Sequence, residues 1–202
     1  MRTYNVLLCG VGGTGVIGFG TLLKQAAVYE SNILVQGNEL RGRAQRGGAT
    51  YNTVRYTIMD DEEVFDERKR ISGDLPRGNA DLMISAESGE TLRNLKYVSS
   101  RTDIIINNFQ SHQVGIPYPD MEKGKTLLEH IARRVIYISA SEMSMNQFGS
   151  YNMTNYILLG AALKNCDIPV SISSINQLIV KKNEKEALEL GFNCIATIVN
   201  KW

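Results

Sequence analysis

The sequence predicts an α/β protein with helices on both faces of a central sheet, a three-layer α/β/α sandwich whose strands are mostly parallel or mixed. Three observations carry that prediction. Short apolar runs alternate with helical patterns along the chain. One of those runs, ADLMISA at 80–86, is apolar without alternation, as strands covered on both faces are. The first run, YNVLLC at 4–9, breaks on four glycines, Gly10, Gly12, Gly13 and Gly15, and a helical pattern follows, which makes the layout Rossmann-like.

The composition sets the bounds. The chain has 202 residues, 43% of them hydrophobic, enough to bury a full core in one domain spanning 1–202. No apolar run approaches the roughly 20 residues of a spanning helix, and 6–11 is too short for a signal sequence, so a cytoplasmic location without membrane contact is expected. Cys9, Cys166 and Cys194 are far apart and form no C-x-x-C pair, which supports neither a disulfide framework nor a metal or iron–sulfur site in this chain. A net charge of +1 gives no general pull towards nucleic acid.

In chain order, 4–9 is the first strand and 14–29 the first helix, with Thr14 in position to cap it. A short strand is expected at 33–36. Next comes GNELRGRAQRGG at 37–48, too rich in glycine and arginine for a core element and too long for a plain connector. Residues 49–58, ATYNTVRYTI, alternate and are rich in β-branched and aromatic side chains, as a strand requires. The charged stretch 60–70 reads as a solvated turn or helix face. Beyond the 80–86 strand, 87–98 reads as a helix with Leu92 and Leu95 inward and 103–107 (DIIIN) as a buried strand, which puts Asn107 and Asn108 at the carboxyl edge where open α/β sheets bind ligands. Pro117 and Pro119 mark an irregular loop. A helix over 125–133, a strand over 135–139 and an almost wholly apolar helix over 153–163 follow. The last third, 173–202, reads as helices broken near Asn183 and Gly191.

Two segments are candidates for function. The glycine turn, Gly10, Gly12, Gly13, Thr14 and Gly15, has the spacing that brings a helix N-terminus against a phosphate, although the same spacing serves to pack a helix on a strand and bind nothing, which is the favoured reading of it. A nicotinamide site needs an acidic residue at the end of the second strand. That strand ends Val35-Gln36-Gly37, while Glu30 falls near the end of the first helix and Glu39 beyond the strand, so the nicotinamide reading lacks its second requirement. The arginine segment is the stronger signal: Arg41, Arg43 and Arg46 supply forked donors, and Gly47 and Gly48 let backbone come close to what they hold. An anion site or a subunit contact is the expectation. His112 and His130 have no acidic or cysteine companion at ligand spacing, and Ser139, Ser141 and Ser144 lack a nucleophile-elbow context.

GVGGTG after the first strand, followed by GRAQRGGATYNTVR, resembles the gamma, domain III-like, subunit of thiamine-dependent 2-oxoacid:ferredoxin oxidoreductases, and within them the small beta subunit of indolepyruvate oxidoreductase. Pro76 with GNADLMISAESGETLR at 78–93, the Leu159-Gly160-Ala161 helix after Asn152, and KNEKEALELGF at 182–192 are similar to further segments of that family. Arg41 and Arg43 make the approach to Ala44-Gln45-Arg46 more basic than is usual there.

The resemblance implies a share in an enzyme, inactive as an isolated chain and without a catalytic residue of its own. In such complexes thiamine diphosphate attacks a 2-oxoacid, carbon dioxide leaves, electrons pass singly to iron–sulfur clusters and on to ferredoxin, and the acyl group passes to coenzyme A. Thiamine, magnesium and clusters belong to larger partner subunits. On this chain the cofactor-facing candidates are Gly10, Gly12, Gly13, Thr14 and Gly15 together with Arg43, Gln45, Arg46, Gly47 and Gly48, with coenzyme A a possible co-substrate. A free-standing nucleotide-binding oxidoreductase and a non-catalytic scaffold subunit are the alternatives.

Overall fold

The structure, a computed structural model, describes residues 1–41, 48–60, 72–112, 115 and 117–200. The expected arginine segment is described only at its ends, since Arg43, Gln45, Arg46 and Gly47 lie outside the described residues, as does most of the charged stretch 60–70.

Among the described residues, eight strands form one sheet: β1 (Arg2–Val11), β2 (Ile33–Gln36), β3 (Glu39–Arg41), β4 (Ala49–Ile58), β5 (Leu82–Ser85), β6 (Asp103–Asn107), β7 (Arg134–Ile138) and β8 (Thr197–Asn200). Their order is β2-β4-β1-β5-β6-β7-β8, with β3 also paired to β4. β1, β5, β6 and β7 run parallel, while β4 is antiparallel to β1, and β8 to β7, so the sheet is mixed.

Alternation along the strands sorts side chains between the two faces. Val6, Leu8, Leu82, Ile84, Ile105 and Ile136 enter one core with α1 (Val16–Ala26), α5 (Thr154–Asn165), α6 (Ile172–Leu178) and α7 (Lys182–Asn193). Leu7, Cys9, Met83, Ile104, Ile106 and Val135 enter the other, where Leu92 from α2 (Ser88–Arg93) and Leu128 from α3 (Met121–Ile131) cover them. Strands β5 and β6 are buried on both faces, which is why their sequences do not alternate.

Several expected elements shift. The cap of α1 is Gly15, not Thr14, whose hydroxyl instead donates to the Val11 carbonyl at 2.7 Å and closes the turn. Residues 37–48 contain the short strand β3, because Glu39, Leu40 and Arg41 find partners at Asn52, Tyr51 and Thr50 of β4. Helix α3 begins at Met121, four residues early, where the Asp120 side chain caps it through the Lys123 N–H at 3.2 Å. A helix unforeseen in the sequence, α4 (Ala140–Phe148), follows β7. The last third is not all helix: α6 and α7 are separated at 179–181, and the last described residues form strand β8, which pairs with β7. Gly191 breaks nothing. It lies within α7 at the crossing with α5, where a Cβ would stand 1.9 Å from the Ile157 carbonyl oxygen.

Candidate functional site

At the carboxyl edge of the sheet the connections after β1 and β5 leave in opposite directions. α1 follows β1 and packs on one face towards β4, whereas α2 follows β5 and covers the other face. A crevice opens where neighbouring connections diverge in this way. Here it is a cleft of about 270 Å³. Gly13, Thr14 and Gly15 line it from the glycine turn, Ala86 from the end of β5, Phe109 from the residues after β6, Ser141 from α4, Tyr151 and Asn152 from a single 3-10 turn, and Thr154 and Asn155 from α5.

The glycine turn is built tightly. Its Thr14 N–H donates to the Val11 carbonyl at 3.1 Å, and Gly13 and Gly15 hold φ of 98° and 77°. Positive φ strains a side chain, so a glycine at 15 lets the chain turn into α1 without that cost. A Cβ at Gly15 would also stand 2.9 Å from Asn155 Nδ2, which donates to the Thr14 carbonyl at 2.7 Å. The turn and α5, 141 residues apart in sequence, are thereby fastened together. Gly10 lies on β1 opposite Thr50, and a Cβ there would meet Thr14 Oγ1 at 2.7 Å, so that glycine serves packing.

The sequence's two candidate segments meet. The Gly12 N–H donates to the Gly48 carbonyl at 2.7 Å, and the pairing of Arg41 with Thr50 and of Thr50 with Gly10 sets both ends of the arginine segment at the carboxyl edge beside the turn. Glu39, the acidic residue beyond the second strand, is engaged by Lys24 at 3.4 Å, and Glu30, which does not line the cleft, accepts the Ser171 N–H at 2.6 Å.

The floor of the cleft is a hydrogen-bonded chain. Asn107 is fully buried; its amide donates to the Ala86 carbonyl at 3.0 Å and to Ser141 Oγ at 2.7 Å, and its oxygen accepts the Ser141 N–H at 3.1 Å. Ser141 Oγ lies 3.5 Å from Thr154 Oγ1. Asn108 points out of this floor, with its amide 3.5 Å from Ser139 Oγ. Among the described residues, none that lines the cleft carries a charged side chain, α1 opens onto it with no side-chain cap, and Asn155 Oδ1 is buried without a hydrogen-bond partner. Uncapped first-turn N–H groups favour a negative or electron-rich guest.

Beside the cleft, Glu87 caps α2 through the Glu90 N–H at 2.8 Å, accepts the Ser111 N–H at 3.0 Å and takes the Tyr118 hydroxyl. Burial, and then the Glu87 carboxylate it donates to, raise the Tyr118 phenol above its ordinary range, so the proton stays on the phenol. Burial likewise raises the Glu90 carboxyl, with Arg93 at 2.8 Å opposing. Cys9 is wholly buried and hydrogen-bonds to Ser85, and burial raises its thiol to about 12.

Sequence reasoning missed Phe109, Ser141, Tyr151, Thr154 and Asn155 as lining residues. Asn152 stood out only as a landmark ahead of an apolar helix, and nothing local marks the others.

A mixed α/β sheet with a cleft at its switch point, no charged side chain among the described residues that line it, and both ends of the glycine- and arginine-rich segment alongside defines an open α/β domain with a crevice at the carboxyl edge of its strands. Comparison with known proteins narrows this. The description pyruvate ferredoxin/flavodoxin oxidoreductase belongs to the family whose pattern matches residues 5–199. Indolepyruvate oxidoreductase subunit IorB of Methanothermobacter thermautotrophicus is 29% identical over 177 residues, 85% of this chain and 84% of that protein. The pyruvate oxidoreductase subunit PORC of Thermotoga maritima has the same fold, with a TM-score of 0.67 at 16% identity over 98% of this chain and 99% of that one. The 2-oxoglutarate:ferredoxin oxidoreductase of Magnetococcus marinus, solved with 2-oxoglutarate, coenzyme A and succinyl-CoA bound, matches with a TM-score of 0.61 at 16% identity; 95% of this chain corresponds to 29% of that longer one. The chain belongs to the pyruvate ferredoxin/flavodoxin oxidoreductase family and is a small subunit of a 2-oxoacid:ferredoxin oxidoreductase.

Proposed function

We propose that this subunit serves a cytoplasmic arylpyruvate-type enzyme, of the indolepyruvate class, and that its cleft takes a phosphate-bearing part of coenzyme A while the arginine segment faces the larger thiamine- and iron–sulfur-bearing subunit. The observation that carries the reading is the cleft itself: an uncapped helix start at Gly15, hydroxyls of Ser141 and Thr154, and no charge among the described lining residues. A phosphate there gains the positive end of α1 and meets no carboxylate among the described lining residues. The likeness to the indolepyruvate oxidoreductase subunit of Methanothermobacter thermautotrophicus supports an aryl substrate, and the bound coenzyme A of the Magnetococcus structure supports that co-substrate.

Within that reading this chain moves no electrons and holds no cluster. When bound in the partner, thiamine diphosphate supplies the carbanion chemistry that releases carbon dioxide. What this chain contributes is orientation: the turn and the chain of Asn107, Ser141 and Thr154 fix the donors before the guest arrives, and the preformed site reduces the ordering cost of binding.

The test is coenzyme A titration into the complex purified anaerobically through a tag on this chain. The complex should carry a larger iron–sulfur-containing subunit, and Gly15→Ala should weaken coenzyme A binding with assembly intact. Recovery of the chain alone, or unaltered binding by an assembled Gly15→Ala complex, would sink the proposal. Arg46→Ala separates a site role from a scaffold role. Lost turnover in an intact complex marks the site, and lost assembly marks the scaffold.

A further inference from the structure

Glu87 has no exposed surface, yet it sits at the carboxyl end of the central strand β5, a residue away from cleft-lining Ala86. Neutral donors hold its carboxylate: the N–H groups of Glu90 and Ser111 at 2.8 and 3.0 Å, and the Tyr118 hydroxyl. Arg93, the cation in the last turn of α2, turns instead to Glu90. The Tyr118 hydroxyl also accepts the Gly89 N–H at 2.9 Å, so one carboxylate and one phenol tie three separate stretches of backbone together. Between these ties lies Phe109. Its carbonyl accepts the Ser88 N–H at 2.9 Å, and its ring lines the cleft 6.2 Å from the ring of Tyr151.

A buried carboxylate used only to cap a six-residue helix could be exchanged for a smaller cap. Its second oxygen reaches across to the segment after β6, a tie that capping does not require. We propose that Glu87 is a positioning residue for the cleft: through Ser111 and Tyr118 it sets residues 108–112 so that Phe109 stands as a wall of the guest site. The inference rests on the reading that coenzyme A occupies that cleft. An amide at 87 keeps the size of the side chain but turns an NH2 towards N–H and O–H donors, leaving a buried clash of donors.

The test places 4-fluorophenylalanine at position 109 in the assembled complex and reads its fluorine resonance in wild type, Glu87→Gln and Tyr118→Phe. Tyr118→Phe removes one oxygen from a partly buried ring and serves alone where Glu87→Gln does not assemble. Both substitutions should shift or broaden the resonance, and each should weaken coenzyme A binding by roughly tenfold. In the double variant with Phe109→Ala the loss should equal that of Phe109→Ala alone, because Glu87 acts through that ring; a general structural loss would add. A resonance unmoved by either substitution, or additive losses, overturns the positioning role. A moved resonance with coenzyme A affinity unchanged leaves the positioning role standing and removes coenzyme A from the cleft.

Discussion

Gly160→Ala probes the crossing of α5 and α7, on which the helical layer behind the cleft depends. A Cβ at 160 would lie 2.0 Å from the Leu188 carbonyl oxygen and 2.7 Å from the Phe192 nitrogen, whereas ordinary contact begins at 3.4 Å. Both obstacles are backbone, so no rotamer relieves them, and α7 must retreat by more than 1 Å along its length. That gap would loosen Ile157, Leu158, Ala161, Ala187 and Leu188, all at most 1% exposed. Alanine gains about 1 kcal/mol of helix propensity over glycine. Overpacking costs up to about 3 kcal/mol and more where backbone must move, and a gap of this size forfeits a quarter to a half of the dispersion contacts across it. The net expectation is a loss of about 3 kcal/mol, or roughly 6–12 °C in Tm for a chain of this size. Thermal unfolding followed by circular dichroism measures it, with Gly18→Ala as control. Gly18 lies in α1 with nothing within 4 Å of its Cβ position, so alanine there should be neutral or stabilising. A Gly160→Ala protein within about 1 kcal/mol of wild type would refute the crossing as described.

Other expectations follow from the same geometry. Asp103 has no exposed surface and binds Arg133 Nε at 2.8 Å and Arg134 Nη2 at 2.6 Å; burial pushes its carboxyl up, but the two guanidiniums outweigh this and hold it below the usual range. Because folding lowers that pKa, its stabilisation is present above the unfolded value of about 3.9 and fades as pH falls through the folded one. Asp103→Asn should therefore cost about 3 kcal/mol at pH 7, and denaturant titrations should show the gap to wild type closing below about pH 4. Asn107→Ala removes three hydrogen bonds from the cleft floor and should cost about 3 kcal/mol by the same titration. Gly15→Ala forces a side chain to φ near 77° and against Asn155, for a loss of about 2 kcal/mol that accompanies the weakened coenzyme A binding.

How much could be read from the sequence divides along physical lines. Strand β4 falls on 49–58 as its alternation predicts, and β6 on 103–107, because hydrophobic pattern alone decides a central strand. Strand β8 was not legible: TIVN becomes a strand only by pairing with β7, and its Ile198 stays 43% exposed, so no buried face advertises it. Helix α4, ASEMSMNQF, is largely polar and starts where the Asn107 side chain takes the Ser141 N–H, a partner 34 residues away. The cleft shares that difficulty. Its glycine turn is a local motif and was visible, but Phe109, Ser141 and Thr154 become neighbours only when separate strand ends meet at one edge of the sheet. Glu87 stood out only as the start of a helix, since its second attachment, to Ser111 and Tyr118, depends on how the residues after β6 return over α2.

The central claim is that this subunit meets coenzyme A at the switch point of its sheet. The most direct measurement is a structure of the assembled complex with coenzyme A bound. The account predicts density for a phosphate against the first turn of α1, within hydrogen-bond reach of the N–H groups after Gly15 and of the Ser141 or Thr154 hydroxyls. Coenzyme A held entirely by the partner subunits, with no part of it in this cleft, would contradict it.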